Sequence, residues 1–253
     1  RQILGKSIKK INFSKISAIA ATFGPGLIGG LIVGSSFAKG LSISKNVKLI
    51  PINHLQAHLL SPRLVCEIKF PYLCLLVSGG NTALVLVKNS KSFITLGSTI
   101  DDSAGECFDK VAKGLGLGYP GGPEIEHLAL GGNIEKFKLP MPLTKKNNCD
   151  FSFSGLKTAA LNIIRNNKKT KLFLRDFSAS FQHTVSKVLE IKIINSITLL
   201  QKKNIKIKDF SICGGVAANK YLNTELQKLI STKKLNYHQV PLSLCTDNAA
   251  MIG

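Results

Sequence analysis

Residues 72–87 read YLCLLVSGGNTALVLV, and this stretch decides how the rest of the chain folds. The apolar runs at 72–77 and 83–87 have the length and composition of buried strands. The five residues between them, 78–82, contain two glycines and two hydroxyl side chains, which predicts a hairpin turn with exposed backbone N–H groups. Such a turn can hold an anion, although most single Gly-Gly pairs form ordinary hairpin turns. The stretch therefore predicts the centre of a sheet with a candidate binding turn beside it.

Strands alternate with helices on both sides of this hairpin. From residue 173 the apolar residues recur at helical spacing as far as residue 200, which predicts one long core helix. The alternation predicts an α/β fold. We expect further strands at residues 16–22, 47–52, 209–213 and 237–240, and helices at 31–41, from 54, from 103, around 126, from 157 and from 219.

The composition is that of a folded protein with an excess of positive charge. Of the 253 residues, 44% are hydrophobic and 22 are glycines, and 34 Lys+Arg against 14 Asp+Glu give a formal net charge of +20. Such an excess favours a nucleic acid or another polyanion as a partner, because binding releases counterions. The alternative is the lysine, isoleucine and asparagine bias of an AT-rich genome. The charge therefore supports a nucleic-acid partner without proving one.

The cysteines and one long apolar stretch indicate the compartment. The six cysteines are dispersed without a C-x-x-C pair, which argues against a zinc ribbon or a disulfide framework and favours a reducing cytoplasm. Residues 16–34 are apolar, but Gly24, Pro25 and Gly26 interrupt them, so we predict a strand, a turn and a helix instead of a membrane span. The chain begins at Arg1 and ends at Gly253 in mid-pattern, and we expect it to continue at both ends.

A histidine pair follows the strand predicted at 47–52. Asn53 is a good N-cap, and His54 and His58 would then lie at i and i+4 on one face of a helix, close enough to bind one metal ion. We expect Asp247 at a strand-to-helix junction, in a good position for a third ligand. Two histidines and one carboxylate leave coordination positions open, which suits a transition metal that also holds substrate. Helical histidines are as often plain surface or core groups, and that alternative stays open here.

Four carboxylates occur within nine residues of this basic chain, namely Asp101, Asp102, Glu106 and Asp109. Ser103 and Glu106 fit a capping box, and Glu106 can pair with Lys110 at i+4. A well-capped helix with acids near its positive N-terminus accounts for this cluster without any chemistry.

A second glycine turn lies near the C-terminus of the chain. Gly214 and Gly215 follow the strand predicted at 209–213 and lead into a helix that begins at about Asn219. A strand, two glycines and a helix in this order suit a nucleoside that must approach the backbone closely.

Eight short motifs follow one another along the chain, namely Gly24-Pro-Gly-Leu27, His54-x-x-x-His58, Val77-Ser-Gly-Gly-Asn-Thr82, Asp101-Asp-x-Ala-Gly-Glu-x-Phe-Asp-Lys110, Tyr119-Pro-Gly-Gly-Pro123, Phe153-Ser-Gly-Leu-Lys-Thr158, Gly214-Gly-Val-Ala-Ala-Asn219 and Cys245-Thr-Asp-Asn-Ala-Ala250. In this order they resemble the motifs of the tRNA N6-adenosine threonylcarbamoyltransferase family in its bacterial type, formerly described as O-sialoglycoprotein endopeptidases or glycoproteases. The resemblance covers essentially all 253 residues, and eight motifs in the right order are specific although each alone is weak.

The resemblance implies an α/β, actin-like ATPase fold with two lobes, as in hexokinase, sugar kinases and Hsp70. Residues 1–70 would form a first lobe that lacks its N-terminal strand and hairpin, and residues 71–253 a second lobe that lacks its closing C-terminal helix. The implied reaction moves a threonylcarbamoyl group from threonylcarbamoyl-AMP to N6 of the adenosine 3′ of the anticodon, in tRNAs that read codons beginning with A.

The resemblance also implies the sites and the partners. One divalent metal ion, iron or alternatively zinc, would be bound by His54, His58 and Asp247. Threonylcarbamoyl-AMP would contact Leu76, Val77, Ser78, Gly79 and Gly80, and its nucleoside part would contact Asp109, Gly122, Glu126 and Asn219. AMP leaves as a stabilised anion, so no residue is assigned a catalytic role. The implied partners are tRNA, threonylcarbamoyl-AMP and the enzyme that makes it, an inactive paralogue of the same fold and a small P-loop ATPase, all in the cytoplasm and none in a membrane.

Three other classes of protein agree less well with the motifs. A zincin protease needs H-E-x-x-H, and Leu55 stands where its glutamate would be. A non-catalytic scaffold or ATP-binding partner of the same fold typically loses the metal histidines, which this chain keeps. A sugar or acetate kinase of this fold would need a catalytic carboxylate beside a sugar pocket, and no motif here identifies one.

Overall fold

The computed structural model describes residues 15–253, with the backbone alone at 242 and 243, and these residues form two compact units. The first unit contains residues 15–58 and 248–253, and the second contains residues 59–247. The two lobes expected at 1–70 and 71–253 concern the complete fold and stay a prediction.

The first unit is built on a β-α-β segment. Strand β1 (Ala18–Gly24), helix α1 (Ile28–Lys45) and strand β2 (Lys48–Asn53) follow one another, and the two strands pair in parallel. Both strands were predicted, and the helix is longer than the predicted 31–41. Helix α1 begins just after the Gly-Pro-Gly turn, which ends strand β1. Helix α2 (His54–Leu60) follows β2 without a loop.

The second unit contains a five-stranded sheet in the order β5-β4-β3-β6-β7. The predicted hairpin is confirmed: β3 (Tyr72–Val77) and β4 (Thr82–Asn89) pair antiparallel, and β5 (Ser92–Ser98) extends the meander. Strands β6 (Asp209–Cys213) and β7 (Asn236–Gln239) are added parallel to β3. All six residues of β3 are buried, as their continuous apolar sequence predicted.

Helices surround this sheet in the second unit. The long core helix is confirmed as α6 (Lys171–Lys202), and its predicted apolar residues Phe177, Phe181, Val185 and Leu189 are fully buried. The helices are α3 (Ala104–Leu115), α4 (Gly121–Leu128), α5 (Ser154–Arg165), α6 (Lys171–Lys202), α7 (Lys220–Thr232) and α8 (Leu242–Cys245), with 3₁₀ turns at Ser61–Leu64 and Gly215–Ala218.

A buried lysine holds the loop at residues 143–148 against α6. The Lys192 ammonium group donates hydrogen bonds to the carbonyl oxygen of Leu143 at 2.8 Å and to the side-chain oxygen of Asn148 at 2.7 Å. Lys192 is fully buried, and burial lowers the pKa of its amine. Three oxygen acceptors, including the Asn148 carbonyl at 3.2 Å, compensate for the loss of water around this cation.

No helix among residues 15–253 is both long enough and apolar enough to cross a membrane, in agreement with the predicted strand, turn and helix at residues 16–34.

A close contact between β5 and the segment at residues 149–151 gives a test of the fold. Gly97 lies so near the backbone carbonyl of Cys149 that a Cβ atom at residue 97 would overlap it, and Phe151 donates its N–H to the Ser98 carbonyl at 3.0 Å. We expect Gly97→Ala to lower the free energy of unfolding by about 2 kcal/mol or more, measured by urea denaturation.

The matched control is Gly155→Ala in α5, where the nearest heavy atom, Pro142 Cγ, is 3.5 Å from the new Cβ. This variant should be as stable as the parent or more stable by up to about 1 kcal/mol, because alanine favours the helix. Equal stability of the two variants would contradict the contact at Gly97.

Candidate functional site

Strands β3 and β6 end side by side, and the turns that follow them define the candidate site. Leu76 is paired with Cys213 in the parallel register, so residues 78–81 and 214–219 leave the sheet at the same edge. Gly214 has a φ of +95°, and a Cβ there would overlap the Val77 carbonyl group. Only glycine combines this backbone conformation with so close an approach. Ligand sites of open α/β sheets lie at this carboxyl edge.

The turn after β3 presents unused backbone donors. Ser78 donates its N–H to the Asn81 carbonyl at 2.8 Å, and the Ser103 hydroxyl donates to the Gly79 carbonyl at 2.6 Å, so the turn is fixed from two sides. Within residues 15–253, the N–H groups of Gly79 and Gly80 donate no hydrogen bond, and both glycines are exposed. These two N–H groups can bind an anionic or carbonyl oxygen.

The side chains of Leu76 and Val77 point into the core of the sheet. They are 2% and 0% exposed. A substrate could therefore reach these two residues only through their backbone, whereas Ser78 is half-buried and Gly79 and Gly80 are open. Of the five substrate contacts predicted in this segment, only Ser78, Gly79 and Gly80 are therefore accessible beyond their backbone or open to a ligand.

Three of the four clustered carboxylates fix the local structure. Asp101 accepts hydrogen bonds from the Phe153 N–H at 2.8 Å and the Ser152 hydroxyl at 2.5 Å. The predicted Ser103 cap is confirmed by its bond from the Glu106 N–H at 3.0 Å, and so is the Glu106–Lys110 ion pair at 2.5 Å.

Asp102 completes this network of charged groups. It forms ion pairs with Lys157 and, at 3.3 Å, with Lys110. Burial acts to raise the pKa of Asp102, but the hydrogen bonds from the two lysines outweigh it and lower the pKa below its usual value. Asp102 therefore stays ionised and joins α3 to α5.

Hydrogen bonds connect the segments that carry the four residues predicted to hold a nucleoside. The Asp109 carboxylate accepts the Gly121 N–H at 2.7 Å, next to Gly122, which has open space where a Cβ would stand. On the same helix α4, Glu126 accepts the Lys220 N–H at 2.7 Å. Lys220 follows Asn219, so these two hydrogen bonds connect α3, α4 and the start of α7. The structure brings these residues to one place, and their role stays a prediction.

Asn219 has one polar atom without a partner. Its side-chain oxygen accepts the Leu222 N–H at 2.8 Å and so caps α7. Its amide nitrogen is buried and has no hydrogen-bond partner among the described residues, and the whole residue is 6% exposed. A buried donor left unpaired costs about 1–3 kcal/mol, which a ligand oxygen would recover. Sequence reasoning found this residue but not its unpaired donor.

The histidine pair forms as predicted in the first unit. Asn53 caps α2 by accepting the Gln56 N–H at 3.1 Å. The rings of His54 and His58 lie 4.7 Å apart between centroids, and their candidate ligand nitrogens are within 4.8 Å of each other. His58 is 4% exposed, so it is not a surface histidine. Two neutral imidazoles one helical turn apart fit a transition-metal ion.

Asp247 does not lie at a strand-to-helix junction, because helix α8 occupies residues 242–245 between β7 and this aspartate. That one detail of the prediction was wrong. Residues 241–245 were too short a segment for the sequence pattern to distinguish a helical turn from a loop. Asp247 is the last residue of the second unit and the histidines belong to the first. That His54, His58 and Asp247 bind one metal ion together stays a prediction.

Comparison with solved structures defines the fold. Full-length HypF in its phosphate- and nucleotide-bound form superposes with a TM-score of 0.68 over 99% of this chain and 40% of HypF, at 14% sequence identity. HypF of T. kodakarensis gives a TM-score of 0.67 at 13% identity over 99% of this chain and 41% of that protein. The predicted actin-like ATPase fold class is thereby confirmed.

Sequence comparison then assigns the family. A family model described as tRNA N6-adenosine threonylcarbamoyltransferase matches residues 2–253. Relatives of that name are 47% identical in Wolbachia of Brugia malayi, covering 99% of this chain and 75% of the relative, and 47% identical in Rickettsia canadensis, covering 100% and 74%. The chain belongs to the tRNA N6-adenosine threonylcarbamoyltransferase family. Its members are transferases that modify tRNA, as the motifs predicted.

The unpaired amide of Asn219 leads to a prediction about nucleotide binding. Asn219→Ser keeps a side-chain oxygen that can cap α7 and removes the amide, whereas Asn219→Ala removes both. We expect both variants to bind AMP about 10-fold more weakly than the parent in calorimetry, because both lose one buried hydrogen bond to the ligand.

Only Asn219→Ala should also lose about 1 kcal/mol of stability, because it alone leaves the Leu222 N–H uncapped. Unchanged AMP affinity in Asn219→Ser would show that the amide nitrogen faces no ligand.

Proposed function

We propose that this transferase takes its threonylcarbamoyl group from threonylcarbamoyl-AMP and places it on N6 of the adenosine 3′ of the anticodon, in tRNAs that read codons beginning with A. The observation that supports the donor best is the arrangement at the carboxyl edge of β3 and β6. Two unused N–H groups, those of Gly79 and Gly80, lie on the same edge of the sheet as Asp109, Glu126 and Asn219. Anion donors beside ribose and base acceptors are what a nucleoside phosphate requires.

The N–H groups of Gly79 and Gly80 bind the phosphate or the carbonyl oxygen of the mixed anhydride. The Asn219 amide nitrogen donates to the nucleoside, and the Asp109 and Glu126 carboxylates accept from its hydroxyl or amino groups. Both carboxylates have one oxygen engaged by a backbone N–H, which fixes their orientation before substrate arrives. Fixed acceptors and donors of this kind lower the cost of binding.

In the reaction, the N6 amine attacks the carbamoyl carbon, a C–N bond forms, and the C–O bond to the phosphate breaks. AMP departs with the electron pair, and the proton that the amine loses passes to water. The turn at residues 78–81 stabilises the charge that develops on the oxygens, and the two bound substrates are held in reacting orientation. No protein nucleophile takes part.

In this proposal, His54, His58 and Asp247 bind one divalent metal ion per subunit, iron or alternatively zinc. When bound, such an ion acts as a Lewis acid on the anhydride. Asn53 fixes the start of α2 and thereby the orientation of both histidines. The burial of His58 keeps competing water away from its ring.

The chain would act in the cytoplasm with an inactive paralogue of its own fold, a small P-loop ATPase and the enzyme that makes threonylcarbamoyl-AMP. All six cysteines are free thiols, five of them buried, which agrees with a reducing compartment.

Transfer of label to tRNA tests this function. The protein is combined with its partner proteins, unmodified tRNA, ATP, bicarbonate and labelled threonine, and label in tRNA is counted. We expect His54→Ala to lose at least about 100-fold in rate and to lose bound metal in elemental analysis, because one metal ligand is gone.

His127→Ala is the matched control, since His127 is an exposed histidine that is not among the predicted metal ligands or substrate contacts. It should retain parental activity and metal. A folded, metal-loaded protein that transfers no label from ready-made threonylcarbamoyl-AMP would refute the proposed donor.

A further inference from the structure

Six exposed lysines lie at the edge of the second-unit sheet that is opposite to the candidate site. Parallel strands β6 and β7 both begin at this edge, and the Asn236 N–H donates to the Lys208 carbonyl at 2.9 Å where they start. Helices α6 and α7 end just before these strands. We name as the lysine edge the residues Lys202, Lys203, Lys206, Lys208, Lys233 and Lys234.

The lysine edge has a large excess of positive charge, although β3 begins at the same edge and is preceded there by the exposed residues Glu67 and Lys69. The sequence contains no aspartate or glutamate between Glu190 and Asp209 or between Glu225 and Asp247. Asp209 is 5% exposed and is already engaged by His238 at 2.8 Å. In the part of the chain that the structure describes, none of the six lysines forms a salt bridge. Their mutual repulsion costs stability, and a polyanion that binds there relieves it.

Genome bias alone does not explain where the charges lie. Six of the fourteen acidic residues fall between residues 101 and 126, beside the candidate site, and Asp102 and Glu106 there are paired with Lys110. A mutational bias toward lysine acts on the whole sequence, whereas the fold gathers six exposed lysines at one edge of the sheet and six carboxylates beside the candidate site. This grouping indicates a function for the lysine edge.

A cavity with polar and apolar walls continues the lysine edge along α6. It has a volume of about 230 Å³ and is lined by Asn147, Asn195, Thr198, Leu199 and Lys202. Its loop wall is fixed, because Asn195 donates to the Asn148 carbonyl at 2.8 Å and Lys192 holds the same loop from inside. Lys145 and Lys146 are exposed on this loop. Amide groups, a hydroxyl and lysines suit the phosphates and hydroxyls of a ribose–phosphate chain.

We propose that the lysine edge binds the sugar–phosphate backbone of tRNA outside the anticodon loop. The inference rests on the proposed function, in which the acceptor adenosine enters at the carboxyl edge of the sheet. Strands of five to six residues separate the two edges by roughly 17–20 Å. A tRNA whose anticodon loop occupies the carboxyl edge therefore meets the lysine edge with a different part of its backbone. Phosphate contacts of this kind position the tRNA without reading its sequence.

The test compares two quadruple variants on two RNAs. The first variant carries K202Q, K203Q, K206Q and K233Q. The control carries K136Q, K138Q, K168Q and K171Q, which remove four lysines that are also exposed, from loops and from the start of α6. Each variant is assayed in the complete transferase system for KM and kcat, with a whole unmodified tRNA and with an isolated anticodon stem-loop, and tRNA affinity is measured by filter binding at several salt concentrations.

We expect the lysine-edge variant to raise KM for whole tRNA by about 10- to 100-fold without a change in kcat, and to reduce the salt dependence of tRNA affinity by about three counterions. Its KM for the stem-loop should equal that of the parent, and the control should behave as the parent on both RNAs.

Three results would overturn the proposal. They are an unchanged KM for whole tRNA, an equal loss in the control, which would indicate net charge alone, and an equal loss on the stem-loop, which would place the lysines at the anticodon. In each case, retained transfer to the stem-loop would leave the proposed function intact, and loss of transfer by the parent itself would refute that function instead.

Discussion

The contact between Gly214 and the carbonyl group of Val77 is the constraint on which the candidate site depends. It closes the space between β3 and β6 at their carboxyl ends and fixes the directions in which the two following turns leave the sheet. Any side chain at residue 214 would separate the strands there. The turn at residues 78–81 and the start of α7 would then no longer lie on a common edge, although each could still form by itself.

The residues of this site also cap helices. Asp109, Glu126 and Asn219 each accept a backbone N–H at or near the first turn of a helix, respectively from Gly121, Lys220 and Leu222. Side chains that make such bonds lose little further entropy when a ligand arrives, because their rotamers are already fixed. The helix cap also explains how Asn219 can keep one unpaired donor, because the cap fixes the side chain while its amide nitrogen remains available for a ligand.

Much of this structure could be predicted from local sequence, and the failures have a common physical origin. The hairpin at residues 72–87, the long helix α6 and the caps at Asn53 and Ser103 each depend on neighbours within a few residues, so their patterns were sufficient. The partners of Asp101 and Asp102 lie about fifty residues further along the chain, at Ser152 and Lys157. Contacts of that kind are set by the order of strands and helices, which the spacing of residues does not encode.

The same limit applied to the candidate site. The apolar run at residues 72–77 predicted that the side chains of Leu76 and Val77 are buried, but only packing around Asn219 left its amide without a partner. The grouping of six lysines at one edge of the sheet was likewise hidden in a lysine-rich sequence. It becomes visible when β6 and β7 are placed parallel, since their preceding turns then meet.

The gathering of six lysines at one edge of the sheet has a consequence for how the second unit meets a polyanion. Their attraction for RNA acts over about a Debye length, before any atoms touch. Encounters in which RNA first approaches the lysine edge are therefore favoured over encounters at less charged faces of this unit.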